Sequence, residues 1–354
     1  MVNINYNNYI IYENSYKNKE KYFLDYLKEL TSHHIKKCKP YEKVVRNLGF
    51  KVTKSTKIEQ IPMLPTEIFK KFSIKSITDK EIFKTLYSSG TSGNSLSKIF
   101  LSKENAKNQI IVLKRIVNDI LGKHRLPMLI IDKQPDLSIR SAFNAKSAAI
   151  HGFSMFGKDH TYLLKENGEI DYETLNNFIK NFGKKFIIFG FTSLIYEFLI
   201  QKLKMKNLNS NFKNGILIHG GGWKKLDALK ISNEIFKKEL SKKLNLINII
   251  NYYGLVEQTG SIFFECIRCG CFVTSAYSDI IIRDKNLNVA KDGENGIIQL
   301  LSILPSSYPG HSILTEDIGV ILKDKNCKCA KNGKRFKVID RVKNSEIRGC
   351  SDAI

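Results

Sequence analysis

Between residues 126 and 250 short apolar runs alternate with amphipathic stretches, and this alternation constrains the fold more than any other feature of the chain. Residues 127–131 (PMLII), 185–191 (KFIIFGF), 215–218 (GILI) and 246–250 (LINII) have the length and apolar content of buried strands. Residues 104–121, 172–182, 194–204 and 226–244 carry the longer spacing of helices. Strand followed by helix, repeated, predicts a doubly wound α/β core. From Asp279 onward the pattern becomes strand upon strand (IIIRD, GIIQLLSIL, DIGVILK, KRFKVID), joined by Gly, Asn and Asp turns, which predicts an appended β-rich lobe. Ahead of the core, Tyr22, Phe23, Tyr26, Leu27 and Leu30 recur at helical spacing, and Pro62 and Pro65 in IPMLPTEIFK start extended structure. The expected organisation is an N-terminal helical layer at 1–60, an α/β core at 61–275 and a β-rich lobe with its tail at 276–354.

With 42% hydrophobic residues in 354, the chain can bury a large core. Its net charge of +23 comes from lysines spread along the whole length among asparagines and isoleucines, which predicts a solvated lysine surface and no nucleic-acid partner. No apolar stretch approaches the roughly 20 residues of a membrane span, and the N-terminus lacks the apolar core of a signal peptide. A cytoplasmic protein is expected. Seven cysteines, an odd number gathered late in the chain, suit reduced thiols, a metal or catalysis better than a disulfide framework.

Four segments could carry chemistry. YSSGTSGNSLSK (87–98) lies after the short apolar segment 82–86 and before the long helix, and is either a flexible linker or a loop whose amides and hydroxyls wrap phosphate, with Lys98 adding charge. It lacks the spacing of a Walker loop. IHGGGWKK (218–225) ends a strand, and its three glycines either make a tight turn or leave bare backbone for a planar ring. NYYGLVEQTG (251–260) offers Tyr252 and Tyr253 for stacking and Glu257 either as a capping residue or as a ligand of Mg²⁺. The late acid and base signals are Thr315, Glu316 and Asp317, then Asp340 and Arg341, either surface ion pairs or partners of ribose and phosphate oxygens. Separately, CIRCG supplies Cys266 and Cys269 and CKC supplies Cys327 and Cys329, two short pairs able to make a tetrahedral zinc site, with Cys271 left over. His151 and His219 are read as satisfied structural histidines or as borders of an acyl pocket, and Phe153, Met155, Phe156, Phe189 and Phe191 as an apolar lining.

The order of these segments resembles the motif succession of the adenylate-forming superfamily, which includes acyl-CoA synthetases, adenylation domains and firefly-type luciferases. More closely, SSGTSGNSLSKIFLS, HGGGWKKL, YGLVEQTG, SYPGHSILTEDIGV and EIRGCSD, with IPMLPTEIFK and AAIHGFSMFG, resemble the LuxE-type acyl-protein synthetases (long-chain-fatty-acid–protein ligases) of bacterial luminescence, over residues 60–354. The resemblance implies an α/β fold: the N-terminal domain of an adenylate-forming enzyme, a doubly wound sheet plus a β-rich lobe, with the mobile C-terminal lobe absent or vestigial. It implies ATP-dependent activation of a fatty acid to acyl-AMP, then transfer to Cys350 as a thioester for delivery to an acyl reductase. Under the same resemblance Ser88, Ser89, Gly90, Thr91, Ser92, Gly93 and Lys98 would hold the β and γ phosphates. Gly220, Gly221, Gly222, Tyr253 and Gly254 would border adenine, Glu257 would take Mg²⁺, Asp317 the ribose hydroxyls, and Arg341 ribose or phosphate. Arg348 beside Cys350 would favour the thiolate.

Two departures from the superfamily stand out. The lobe carrying its usual adenylation lysine would begin where this chain ends, so Lys98, Lys224, Lys225 or Lys343 would supply that charge. The loop also lacks the usual Pro-Lys-Gly ending. Other readings are a ligase that loads coenzyme A or a carrier protein, with a short or hydroxylated acid for surface polysaccharide, and a non-catalytic nucleotide-binding scaffold.

Overall fold

Two of the expected strands, extended by a few residues, one shifted toward the C-terminus and one at the expected place lie in a parallel sheet. The computed structural model describes residues 4, 6–12, 16–88, 96–135, 145–204, 206, 212–223, 231–322, 327–329 and 331–342. It divides into two compact units, one of Met1–Ser88, Ser95–Ile116 and Gly254–Glu346, the other of Ser89–Asn94, Val117–Tyr253 and Ile347–Ile354.

In the second unit the strands lie in the order Gly157–Leu164, Leu126–Lys133, Phe186–Phe191, Gly215–Gly220, Asn248–Tyr253, all neighbours parallel. Phe186–Phe191 and Gly215–Gly220 are buried along their whole length, as interior strands covered on both faces must be. Leu129, Ile131, Phe186, Ile188 and Leu217 meet Leu175, Phe178, Ile179, Leu240 and Leu244 of helices Tyr172–Phe182 and Asn233–Leu244. Asp171 caps the first helix by accepting from Thr174 N at 3.0 Å, and Ser232 caps the second by accepting from Ile235 N at 3.2 Å. The chain order of the strands reverses between Leu126–Lys133 and Phe186–Phe191, and in such sheets ligands bind outside the carboxyl ends near that reversal.

Sequence pattern did not pick out Gly157–Leu164, because it is an edge strand whose polar first half, Lys158 to His160, is exposed. The segment 194–204 was expected as an ordinary helix. It is a single turn, Thr192–Leu194, running into a π-helix, Ile195–Lys202, that turns Ile195, Phe198 and Leu199 into the core. A widened turn of this kind keeps the same apolar residues and so leaves no separate mark on their spacing.

The first unit joins the N-terminal helices to the late strands. Helix Tyr16–Lys37 buries Phe23, Leu27 and Leu30 completely, at i, i+4 and i+7. The antiparallel sheet runs Phe272–Val273, Arg335–Arg341, Ser312–Leu322, Gly296–Ser302, Ser278–Arg283, with Leu64–Pro65 pairing in parallel to Ile313 and Leu314. Polar contacts fasten the helices to this sheet. Lys19, nearly inaccessible, donates to Ser278 O at 2.9 Å and lies 3.6 Å from Asp279, which Lys334 also approaches at 3.2 Å. Burial brings the Lys19 ammonium down to about 8 despite Asp279, and Asp279, which burial would raise, is held below its usual value by Lys19 and Lys334. His34 and His311 stack at 5.0 Å, with His34 between Ser76 Oγ at 2.7 Å and Pro305 O at 3.1 Å. Among the described residues, no helix is long and apolar enough to cross a membrane.

Candidate functional site

The two ends of the hydroxyl-rich stretch, Tyr87 and Lys98, are paired across a short antiparallel ladder ahead of the long helix. Strands Lys84–Tyr87 and Lys98–Leu101 pair antiparallel with Tyr87 opposite Lys98, and the helix Lys103–Leu121 starts only after the second strand. Four-residue, half-buried strands carry too little periodicity to be read from sequence. Ser88 and Ser97 close the neck: Ser88 N donates to Ser97 O at 3.1 Å, and Ser97 N donates to Ser88 Oγ at 2.9 Å. Lys98 is exposed just beyond. Ser89, Gly90, Thr91, Ser92 and Gly93 lie outside the described residues.

Glu257 stands on the single 3-10 turn Val256–Gln258 and is buried, 3% exposed. Its Oε1 accepts a 2.6 Å hydrogen bond from Ser97 Oγ. Gln258 anchors the turn by donating to Leu300 O at 3.2 Å and Gly310 O at 2.9 Å. The phenol of fully buried Tyr308 is raised by that burial, with a smaller contribution from the Glu257 charge. Sequence reasoning named Glu257 and Ser88 but gave Ser97 no role. Its signal was its place, immediately before the lysine that ends the loop.

Asp317 and Arg341 face each other across strands Ser312–Leu322 and Arg335–Arg341. Arg341 Nε lies 3.7 Å from Asp317 Oδ1, and its Nη2 donates to Glu316 Oε2 at 3.2 Å. Asp317 N donates to Thr315 Oγ1 at 3.1 Å. All three groups are half-buried, so the guanidinium and the carboxylates are reachable polar groups in one place.

In the other unit the glycine turn does require glycine. A Cβ on Gly220 would sit 2.6 Å from the Tyr252 ring, and Gly221 has φ +80° with Phe191 at 3.2 Å from its would-be Cβ. Gly221 and Gly222 are exposed and Tyr253 is half-buried. Under the turn, Phe153 stacks on Phe189 at 4.6 Å and meets Tyr252 at 5.0 Å, so the residues read as an apolar lining pack against one another. His219 is buried; its Nδ1 lies 3.0 Å from Thr192 Oγ1, which donates to Gly220 O at 3.2 Å. Burial, with Lys237 adding to it, pushes His219 down to about 3, which keeps the imidazole neutral. Thr192, which the sequence did not single out, thus ties His219 to the turn. His151 is exposed. Gly254, exposed, opens the first unit's last segment, and a Cβ there would meet Ser261 O at 3.1 Å.

Cys266, Cys269 and Cys327 come together, their sulfurs all within 4.8 Å of one another. Cys329 packs against the same cluster, and Arg335 Nη2 donates to its Sγ at 3.4 Å. Cys350, Lys224, Lys225, Lys343 and Arg348 lie outside the described residues.

The profile of the family described as "Acyl-protein synthetase, LuxE" matches residues 9–354. Two curated relatives are each called long-chain-fatty-acid–luciferin-component ligase. The one from Vibrio harveyi is 25% identical over 307 residues, 83% of this chain and 77% of its own. The one from Aliivibrio fischeri is 25% identical over 304 residues, 83% and 78%. Among solved structures, 2-hydroxyisobutyryl-CoA ligase in its postadenylation state with 2-HIB-AMP superposes with a TM-score of 0.72 at 13% identity, covering 95% of this chain and 72% of that one. That likeness places the fold among adenylate-forming enzymes, and the family match over nearly the whole length settles membership: the chain belongs to the acyl-protein synthetase, LuxE family of AMP-forming ligases.

Proposed function

We propose that this chain activates a long-chain fatty acid with ATP and carries the acyl group on Cys350 for delivery to an acyl reductase. The acid's carboxylate oxygen attacks the α-phosphorus of ATP, and the bond to the β,γ-pyrophosphate breaks. The Cys350 thiolate then attacks the acyl carbonyl carbon, and AMP leaves with the former carboxylate oxygen. The reading draws support from family membership and from the relatives' names, and a single observation carries it: the buried Glu257 carboxylate hydrogen-bonded to Ser97 at the neck of the hydroxyl-rich loop.

In this reading Ser88 to Gly93 and Lys98 wrap the β and γ phosphates, with amides and hydroxyls aimed at charge that grows on the leaving group. Gly220, Gly221, Gly222, Tyr253 and Gly254 border the adenine, where bare backbone lets a flat ring approach. Asp317 accepts from the ribose hydroxyls and Arg341 donates to a ribose or phosphate oxygen. The oxygen donors of Glu257 and Ser97 fit Mg²⁺, a hard cation, and such an ion would offset the negative charge of the departing pyrophosphate. A cytoplasmic location belongs to the proposal, because an acceptor thiol needs a reducing compartment.

Acid-dependent exchange of labelled pyrophosphate into ATP, across a chain-length series, tests the first half. Labelled fatty acid with MgATP, followed by neutral hydroxylamine, tests the second. Cys350→Ser is expected to keep exchange and lose the hydroxylamine-sensitive label. No exchange with any acid overturns adenylation. Hydroxylamine-sensitive label that persists in Cys350→Ser, or label that passes to coenzyme A or a carrier pantetheine without Cys350, overturns the acceptor.

A further inference from the structure

We infer that Cys266, Cys269, Cys327 and Cys329 form a tetrahedral Zn²⁺ site that ties the edge of the antiparallel sheet to the N-terminal segment around Tyr12. The inference is independent of the acyl chemistry, since none of these residues belongs to the site described above. The two pairs come from separate loops, Cys266 and Cys327 being 61 positions apart, yet their sulfurs lie 3.7 Å from each other. Four thiolates around zinc at about 2.3 Å stand about 3.8 Å apart along each edge of the tetrahedron. The observed separation matches that of two ligands of one ion. It is far from the roughly 2.0 Å of a disulfide, and a third thiol, Cys269, lies within 4.8 Å of both.

The first pair has the backbone of a metal knuckle. Gly270 N donates to Cys266 O and Cys266 N to Cys271 O, both at 2.8 Å, and Gly270 turns the chain at φ +66°, a conformation L side chains rarely adopt. The second pair stands between strands Ser312–Leu322 and Arg335–Arg341, and Cys329, just outside the group of three sulfurs, packs with Cys327 and Cys269 against the same small cluster of Tyr12, Cys266 and Val273. Around the sulfurs the packing is apolar, formed by Tyr12, Val273 and Ile11. An ion with four thiolates carries a net charge of minus two, which such a setting accepts only with cations close by. Arg335 supplies one, 3.4 Å from the Cys329 sulfur and fixed by donating to Lys331 O at 2.7 Å. Lys331 supplies another, its Nζ 4.2 Å from the centre of the Tyr12 ring. Cys271 is kept out, its thiol donating to Cys269 O at 3.3 Å. A set of soft thiolates selects zinc over magnesium or calcium.

Elemental analysis of the full chain, purified under reducing conditions from zinc-supplemented cells, tests this. About one zinc per chain is expected, falling to background in Cys266→Ser and Cys327→Ser and unchanged in Cys271→Ser. If the ligand variants do not fold, Co²⁺ loaded into the wild-type chain is the second measurement, with intense visible bands of a tetrahedral thiolate site and sulfur-to-cobalt charge transfer in the near ultraviolet. A chelator is expected to lower the melting temperature and to expose the segment around Tyr12 to protease. Less than about half a zinc per chain, stoichiometric iron, a Cys266–Cys327 disulfide in non-reduced peptide maps, or loss of zinc in Cys271→Ser overturns the inference.

Discussion

Ser97 Oγ donates a 2.6 Å hydrogen bond to the carboxylate of Glu257, 160 positions later in the chain, with both residues buried. A hydrogen bond to a buried charge is worth about 2 kcal/mol, and removing the donor leaves the carboxylate short of a partner. Ser97→Ala is therefore expected to slow acid-dependent pyrophosphate exchange by about tenfold or more, at about 1.4 kcal/mol per factor of ten. Ser97→Thr keeps the hydroxyl and should retain most activity. Equal exchange rates for wild type and Ser97→Ala would show that this bond does not serve the reaction.

The glycine turn offers a steric test. Gly220→Ala places a methyl 2.6 Å from the Tyr252 ring, which itself packs on Phe153 at 5.0 Å. Overpacking of this kind costs about 1–3 kcal/mol. Gly220→Ala should lower the melting temperature and raise the KM for ATP, and adding Tyr252→Leu should recover much of the stability. A Gly220→Ala chain as stable as wild type in thermal denaturation would contradict the contact.

Acid should unfold the first unit through its histidines. Burial pushes His311 down to about 3 and His34 well below its usual value, with smaller contributions from the neighbouring imidazoles. Facing His34 are Ser76, Pro305 and Tyr41, and facing His311 are Thr31 and Tyr41, so no carboxylate is placed to stabilise an imidazolium among these contacts. In the unfolded chain both rings bind a proton near pH 6.5, whereas in the folded chain they stay neutral far below it. The unfolded state thus binds more protons, and stability is lost as the pH falls below about 6.5, at up to about 1.4 kcal/mol per pH unit for each ring. Urea midpoints measured from pH 7.5 to 5 should fall in wild type and fall less steeply in His311→Gln.

Lys19 is a further stability test. It lies 4% exposed beside Asp279 at 3.6 Å, and breaking a buried ion pair typically costs about 3–5 kcal/mol. Because Lys334 remains at 3.2 Å from Asp279, Lys19→Met should sit at the lower end of that range. A melting temperature unchanged by Lys19→Met would mean that Lys334 alone satisfies the carboxylate.

Much of the architecture was legible because burial leaves a periodic trace. Segments 185–191 and 215–218 read as strands and are buried strands, and 172–182 reads as a helix and is one to the residue. The edge strand Gly157–Leu164 and the hairpin around the hydroxyl-rich loop left no such trace, since half-exposed or very short strands need not alternate. Asp317 and Arg341 were each legible as polar residues near strand ends, but not as a pair.

The sequence by itself determined the alternating core, the strand-on-strand lobe and the order of motifs that marks the family, because these depend on residues close together in the chain. Tertiary structure alone decided that the N-terminal helices share a unit with the late strands, that Ser97 meets Glu257, and that two distant cysteine pairs face one another. Such meetings depend on strand register and on how long loops close. A pattern of neighbours along the chain fixes which face of an element is buried, but it does not fix which distant element covers that face.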